Sequence, residues 1–491
     1  MTKREQWGSR VGFVLAAIGS AIGLGNIWRF PYVAYENGGG AFFIPYLFAM
    51  LTAGIPFLIL EFGVGHKIRG SASNIFKTLS PNWEWVGWWQ ILVSFVISVY
   101  YVAVVGWSIS YFVLAFNQGW GTDTAGFFFK EYLALSDGPF NLGSIRMPIL
   151  AAVVAAWAIT WFVLFKGVKQ GIEAASKVFM PLLFIMVIII TLRAVTLPGS
   201  HEGVNWMFKP DFSALLDIKV WVAAYGQLFF SLSVGFAIML TYSGYLPEKS
   251  DISNNAFITA FCNCGFSILC GILVFSVLGS MAQAQGVGVD EVVKSGVSLA
   301  FVTIPKAINN LPGPAFFGTL FFLALVFAGL SSMISICEVS VKALMDKFDL
   351  ERKRAVTLYC GIGFLFSLVF TTQAGLYILD IVDHFINNFG VLAGGLVEII
   401  FLSWFCKLDV FKEHINAISD FRIGAWWNFC LKILTPVVLG YMSIANLIKD
   451  IQNPYEGYPG TALFWLGWFM VASLVALGVL AQWDGRRKQN A

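Results

Sequence analysis

The chain has 491 residues, 58% of them hydrophobic and 12% charged, with a formal net charge of +3 and a mean hydropathy of +0.75. Soluble proteins carry about 25% charged residues, so a water-soluble globular fold is excluded and an all-α integral membrane protein is expected. The small net charge gives no ground for a nucleic-acid partner; the distribution of the charges is what informs.

Apolar segments of roughly 20 or more residues run over 10–34, 41–67, 84–117, 148–166, 174–197, 218–245, 254–285, 315–346, 354–372, 376–404, 427–449 and 462–483, which predicts twelve transmembrane helices. The first span carries Gly19, Gly23 and Gly25, each of which weakens a helix by roughly 1 kcal/mol relative to alanine. Unpaired backbone groups cost several kcal/mol in hydrocarbon, so such a break is tolerable only where it lines a polar cavity or binds something. A glycine-rich packing seam would explain the glycines but not Asn26 and Arg29, polar side chains at membrane depth. The span 218–245 is interrupted in the corresponding place by Ser231, Ser233 and Gly235. Two broken spans, five apart, imply two inverted halves around a mid-membrane binding site.

The basic residues fix an orientation. Lys3, Arg4, Lys67, Arg69, Lys347, Arg352 and Arg486 are among the many on one side, whereas the opposite loops hold few, such as Lys130, Arg146, Lys209, Lys294 and Lys306. Both termini are therefore expected in the cytoplasm of a multi-pass protein of the cell membrane. No short apolar core with a small-residue cleavage site opens the chain, so no cleavable signal peptide is expected. Of the outer connections, 286–314 reads either as a short helical hairpin, able to act as a lid, or as a plain loop. The seven cysteines lie mostly in apolar segments without metal spacing and read as reduced packing residues. No Gly-x-x-x-x-Gly-Lys-Ser/Thr motif occurs, and His66, His201, His384 and His414 are scattered. No enzyme chemistry is expected.

The run Ala21-Ile-Gly-Leu-Gly-Asn-Ile-Trp-Arg-Phe-Pro31, followed by Glu36-Asn-Gly-Gly-Gly-Ala-Phe42, resembles the neurotransmitter:sodium symporter family, and its bacterial amino-acid transporters in particular. The resemblance implies the LeuT fold: two inverted five-helix repeats, with helices 1 and 6 broken. The first repeat would span 1–197 and the second 198–404, with spans eleven and twelve and a cytoplasmic tail in 405–491. It also implies site residues. A first sodium site falls on Ala21, Asn26, Ser231 and Asn263. A second falls on Gly19, Ile22, Ala328, Ser331 and Ser332. The substrate carboxylate would meet amides of Leu24 and Gly25 and the hydroxyl of Tyr101; its amino group would meet Ala21, Phe230, Ser231 and Ser233. Ser20, Leu24, Ile97, Phe230, Phe236, Ser332 and Ile336 would line the side-chain pocket, which is uncharged and suits a neutral aliphatic or aromatic side chain. Glycine at position 23, where monoamine carriers of the family have aspartate, favours a substrate with its own carboxylate.

Chloride-dependent members imply a further set at Tyr46, Gln227, Ser231 and Ser267. The leucine transporter has an acidic residue at the position of Ser267, and the seventh span here contains no Asp or Glu. Arg29 and Asp383 match an outer gate, Arg4 and Asp346 an inner one, with Trp7 and Tyr245 at the inner closure. Glu61 is expected to brace the broken sixth span, while Glu338, Lys342 and Glu398 receive no role. The expected function is sodium-coupled symport of neutral amino acids by alternating access, with chloride as a possible third ion. A proton-coupled amino-acid carrier of the same fold is the runner-up, and a substrate-gated channel or receptor is a further alternative. Monomer and homodimer both stay open.

Overall fold

The computed structural model describes residues 5–292 and 296–489. Ten helices among these residues are long and apolar enough to cross a membrane, or eleven if one bent pair counts as a single span. The only strand-like pairings in the described residues are two isolated bridges, Gly39 with Pro210 and Ile145 with Thr372. The bent pair is α1 (Arg10–Ala21) and α2 (Leu24–Glu36), which meet at 53°. Then follow α3 (Gly40–Ile68), α4 (Pro81–Leu114), α5 (Met147–Phe165) and α6 (Val168–Ala194). Next come two short helices, α7 (Ile218–Ser231) and α8 (Ile238–Ser243), separated by residues 232–237. The remainder are α9 (Ile252–Gln285), α10 (Pro314–Phe348), α11 (Arg352–Thr371), α12 (Gly375–Phe405), α13 (Ala425–Gly457) and α14 (Gly460–Trp483). The count of twelve requires α7 and α8 together to make one more span; each alone is too short.

The elements follow from local chemistry. Ser9 caps α1: its hydroxyl accepts the Gly12 N–H at 3.0 Å and donates to Glu173 at 2.7 Å. Asp251 caps α9 by accepting the Asn254 N–H at 3.0 Å. The helix α6 starts earlier than the apolar pattern suggests, at Val168 instead of residue 174. Polar residues there do not end it, because Glu173 is buried and satisfied by Gly8, Ser9 and Lys177. Gly167, at a φ of 86°, turns α5 into α6.

Position in the bundle follows burial. In its most apolar stretch α10 is 83% buried, whereas α13 and α14 are 28% buried. So α10, packed along α4, is central, and the last two helices are peripheral. The connection 286–314 is helical on both sides of the undescribed residues 293–295: Val289–Val292, then a helical stretch from Gly296 to Asn309. Phe301 of that stretch packs on Trp107 and Trp28, against α4 and α2.

Candidate functional site

The break in the first span is made by Ile22 and Gly23, both in extended conformation. The Asn26 side chain closes it, its Oδ1 accepting the Gly23 N–H at 3.0 Å. The three glycines differ in purpose. A Cβ on Gly19 would sit 3.1 Å from Met180 Sδ and 3.3 Å from Ser331 Cβ, so this glycine permits close packing. A Cβ on Gly23 would lie 3.2 Å from Ser332 Oγ, and one on Gly25 would meet nothing within 4 Å.

The second break is wound through left-handed backbone at Ser233, Gly235 and Ala237, with φ of 55°, 87° and 70°. Two of these three are not glycine, so the surroundings must impose the conformation. They do so by taking up the freed polar groups. Gly235 N–H donates to Glu61 Oε1 at 2.9 Å, Ser94 Oγ donates to the Phe236 carbonyl at 2.8 Å, and Gln90 Nε2 to the Gly235 carbonyl at 3.3 Å. Ser233 Oγ donates to the Ser20 carbonyl at 2.9 Å, which joins the two breaks directly. Glu398, given no role from sequence, accepts from Gln90 at 2.5 Å and so stands behind the same brace.

Between the breaks lies a cavity of about 590 Å³. Its walls include every residue expected around the substrate: Ser20, Ala21, Leu24, Gly25, Ile97, Tyr101, Phe230, Ser231, Ser233, Phe236, Ser332 and Ile336. Tyr101 reaches the Leu24 backbone and the Ser332 hydroxyl. Ser20 Oγ is buried without a hydrogen-bond partner. The cavity continues past Arg29 and Asp383 to Glu36, Asp380, His384, Asn388 and Tyr455, and Gly296 and Val297 of the helical connection also line it.

The residues expected at the ion sites cluster as well. Asn26 Nδ2 lies 3.0 Å from Ser231 Oγ, 2.9 Å from Asn263 Oδ1 and 2.8 Å from Ser267 Oγ. Asn263 and Ser231 are joined at 2.7 Å. Ala21 borders the cavity beside them. At the expected second site Ser332 Oγ lies 3.4 Å from the Gly19 carbonyl, and Ser331 Oγ donates to the Ala328 carbonyl at 3.0 Å. Ile22 is the extended residue at the break itself. These are neutral oxygens of the kind a hard cation takes. Here the Asn26 oxygen is held by the Gly23 N–H and its Nδ2 faces the cluster; presenting the oxygen to the cluster requires turning the amide over and giving up that cap. Tyr46 Oη and Gln227 Oε1 are both buried without a hydrogen bond of normal geometry, although the tyrosine hydroxyl neighbours Ser231 and Ser267. Two orphaned polar groups beside two hydroxyls suit an anion, since α9 supplies no carboxylate.

The outer charged pair is apart: no Arg29–Asp383 bridge forms among the described residues. The Arg29 guanidinium lies 4.5 Å from the Phe230 ring centroid, while Asp383 accepts from Tyr100 at 2.6 Å and Asn387 at 2.9 Å. Of the inner pair, Arg4 lies outside the described residues. Asp346 instead accepts from Lys342 at 2.6 Å and from the Ser71 N–H at 2.7 Å. The opposite end of the bundle is sealed by Trp7 and Tyr245, expected together there, and by Glu5, Glu338 and Arg352, which the sequence did not join to them. Trp7 Nε1 donates to the Tyr242 carbonyl at 2.8 Å and its N–H to the Tyr245 carbonyl at 3.1 Å. Tyr245 Oη donates to Glu338 at 2.6 Å, and Arg352 bridges Glu338 and Glu5. The signal for Glu338 was present in the sequence, a carboxylate within an apolar span; Arg352 follows it by 14 residues, whereas Glu5, the third member, lies far along the chain and carried none.

Comparison with known proteins is consistent along the whole chain. The profile of the Sodium:neurotransmitter symporter family matches residues 4–125 and 120–483. An uncharacterized sodium-dependent transporter of Methanocaldococcus jannaschii is 43% identical over 460 residues, 94% of each chain. The sodium- and chloride-dependent taurine transporter of Canis lupus familiaris is 30% identical over 516 residues, 96% of this chain and 83% of that one. The corresponding protein of Bos taurus is 29% identical over 534 residues, 98% of this chain and 86% of its own length.

Proposed function

The chain belongs to the sodium:neurotransmitter symporter family, a family of membrane transporters and not of enzymes, and from that premise we propose that it carries neutral amino acids by sodium-coupled symport. In this reading α7 and α8 form one broken span, so that twelve spans make two inverted repeats with both termini in the cytoplasm. The observation that carries the substrate class is the lining between the breaks, which joins the backbone at both breaks, Tyr101 and Ser20 with the apolar Ile97, Phe230, Phe236 and Ile336 and is uncharged around them. A zwitterion finds partners there for both charged ends, and a charged side chain would lose its hydration without one.

Two sodium ions are cargo in this scheme. One would sit among Ala21, Asn26, Ser231, Asn263 and the substrate carboxylate, the other among Gly19, Ile22, Ala328, Ser331 and Ser332. Two cations and a zwitterion leave positive charge in a low-dielectric site, where an anion is worth most. Chloride held by Tyr46, Gln227, Ser231 and Ser267 would supply it. Coupling then rests on differential affinity: sodium favours the arrangement with Arg29 and Asp383 apart and the inner seal closed, substrate draws the outer groups together, and sodium release frees the first span to open inwards. The cation-replaced second site of a proton-coupled carrier is disfavoured, because Gly19, Ala328, Ser331 and Ser332 meet no charged side chain among the described residues.

Uptake into proteoliposomes of radiolabelled neutral amino acids, with taurine included because two relatives carry it by name, tests the reading. Sodium-dependent accumulation of a neutral α-amino acid is expected. Accumulation of taurine alone would replace the carboxylate with a sulfonate and overturn the substrate class.

A further inference from the structure

The fold brings two of the four scattered histidines into contact. His66, in the last turn of α3, is 2% exposed. Its Nε2 lies 2.8 Å from the Pro247 carbonyl oxygen, and its Nδ1 lies 2.9 Å from Nε2 of His414. The rings meet edge to edge, with centroids 5.1 Å apart and 28° between their planes. A carbonyl only accepts, so His66 carries its proton on Nε2 and, as a neutral ring, has a bare Nδ1. His414 must then donate its Nε2–H to that atom. The relay selects one tautomer for each ring.

Three distant segments are tied by this relay: the end of α3, the residues just after α8, and the helix Leu408–Ile418 between α12 and α13. Pro247 stands two residues beyond Tyr245, whose carbonyl holds Trp7 and whose hydroxyl holds Glu338. The relay and the inner seal therefore pull on the same few residues of chain.

The surroundings oppose added positive charge. Lys67 and Arg69 face the pair from the end of α3, and Glu248 faces it from beside Pro247. The helix bearing His414 contributes Asp409 and Lys412, bridged to each other at 3.4 Å, and Glu413. At the start of α9, Asp251 is engaged by Arg10 at 3.5 Å. Burial first, then His66, Lys67 and Arg69, hold the His414 imidazole down at about 4. With the relay intact, His414 is a neutral donor.

We propose that the His66–His414 pair is a proton-sensitive latch on the inner gate, neutral while closed and taking up protons from the cytoplasmic solution when inner opening parts it. This rests on the alternating-access reading above. A histidine released to water titrates near about 6.5. The parted state binds more protons, so acid on the inner face favours opening and alkali keeps the latch shut. At a pH one unit below that value, the freed His414 ring, held at about 4 in the latch, favours the parted state by about tenfold.

Hydrogen exchange of the purified protein, followed by mass spectrometry on peptides covering residues 5–12 and 242–249, tests this. Wild type is compared with His414→Gln, whose amide donates to His66 without titrating, at about pH 7.5 and about pH 5.5. Comparison at each pH cancels the intrinsic exchange rate. Matching protection at the higher pH is expected, with a loss at the lower pH about tenfold greater in wild type than in His414→Gln, which keeps only the His66 ring. Equal pH dependence in the two proteins would overturn the latch. Should His414→Gln not fold, His414→Phe, which has no titrating ring, is read by its own loss of protection between the two pH values, expected to be about tenfold smaller than that of wild type. The measurement needs no substrate: failed amino-acid uptake with the expected exchange pattern would sink the substrate reading and leave the latch standing.

Discussion

Asn26 shows how one side chain can serve both fold and ion. Its carbonyl oxygen caps the break at Gly23, and its amide faces Ser231, Asn263 and Ser267. Replacing it removes the cap and, in the proposed sodium-bound arrangement with the amide turned over, an oxygen ligand. Loss of one hydrogen bond or ligand to a charge is worth about 1.5–3 kcal/mol. We therefore expect Asn26→Ala to raise the sodium concentration for half-maximal thermal stabilisation by at least about tenfold; an unchanged sodium titration would remove Asn26 from the ion site. Ser267 tests the anion. It sits within 2.8 Å of Asn26 in a helix lacking any carboxylate. A fixed negative charge there should do the work assigned to chloride, so Ser267→Glu should transport equally in chloride and in gluconate while wild type loses activity in gluconate. Gluconate-insensitive uptake by wild type would contradict the chloride assignment.

At the scale of elements, the two broken helices are stable only because other helices answer their open backbone groups. Glu61 on α3 takes the Gly235 N–H, and Gln90 and Ser94 on α4 serve the carbonyls on either side. A buried N–H left without an acceptor costs about 1–3 kcal/mol. Glu61→Ala should therefore destabilise the protein by about that amount in a denaturant or thermal titration, whereas Glu61→Gln, which keeps an acceptor, should recover most of it. If the two variants unfold alike, the carboxyl is not acting as a brace. The position of His414 on a short helix outside the spans makes a stability prediction too. Its folded value is held at about 4, below the usual range, by burial and then by the neighbouring His66, Lys67 and Arg69. The unfolded chain thus binds the proton more readily. The contribution is present above about pH 6.5 and is lost as pH falls toward about 4, so the melting temperature should decline across that window less steeply in His414→Gln.

Across the whole molecule, one end is open and the other shut. The cavity extends from the breaks past an unjoined Arg29 and Asp383, while Glu5, Trp7, Tyr245, Glu338 and Arg352 close the far end. Glu338 has a fully buried side chain and Arg352 one that is 9% exposed, so the pair is costly to break on one side only. Arg352→Gln should cost about 3–5 kcal/mol and increase amide exchange around residues 5–10. The double variant Glu338→Gln/Arg352→Gln should recover stability, because the fully buried Glu338 no longer carries an uncompensated charge. Equal losses in single and double variants would show that the pair acts through packing alone.

Hydropathy by itself determined that the chain is a helical membrane protein, because hydrocarbon admits only helices and closed barrels, and contiguous apolar runs of this length suit the helix. Helix-breaking glycines beside Asn26, and serines in the span beginning at Ile218, likewise mark the two breaks in the sequence. The residues around the cavity were legible to the extent that a local motif carried them, such as the run from Ala21 to Pro31. What lay beyond reach was everything made by meeting. The start of α6 at Val168 depends on Glu173 being satisfied by Gly8 and Ser9, far away in the chain. The continuation of the cavity to His384 and Tyr455, the joining of Glu5 to Arg352, and the contact of His66 with His414 arise between segments hundreds of residues apart. Pairing energies of this kind depend on distance and burial, which no local pattern encodes; only the packed bundle sets them.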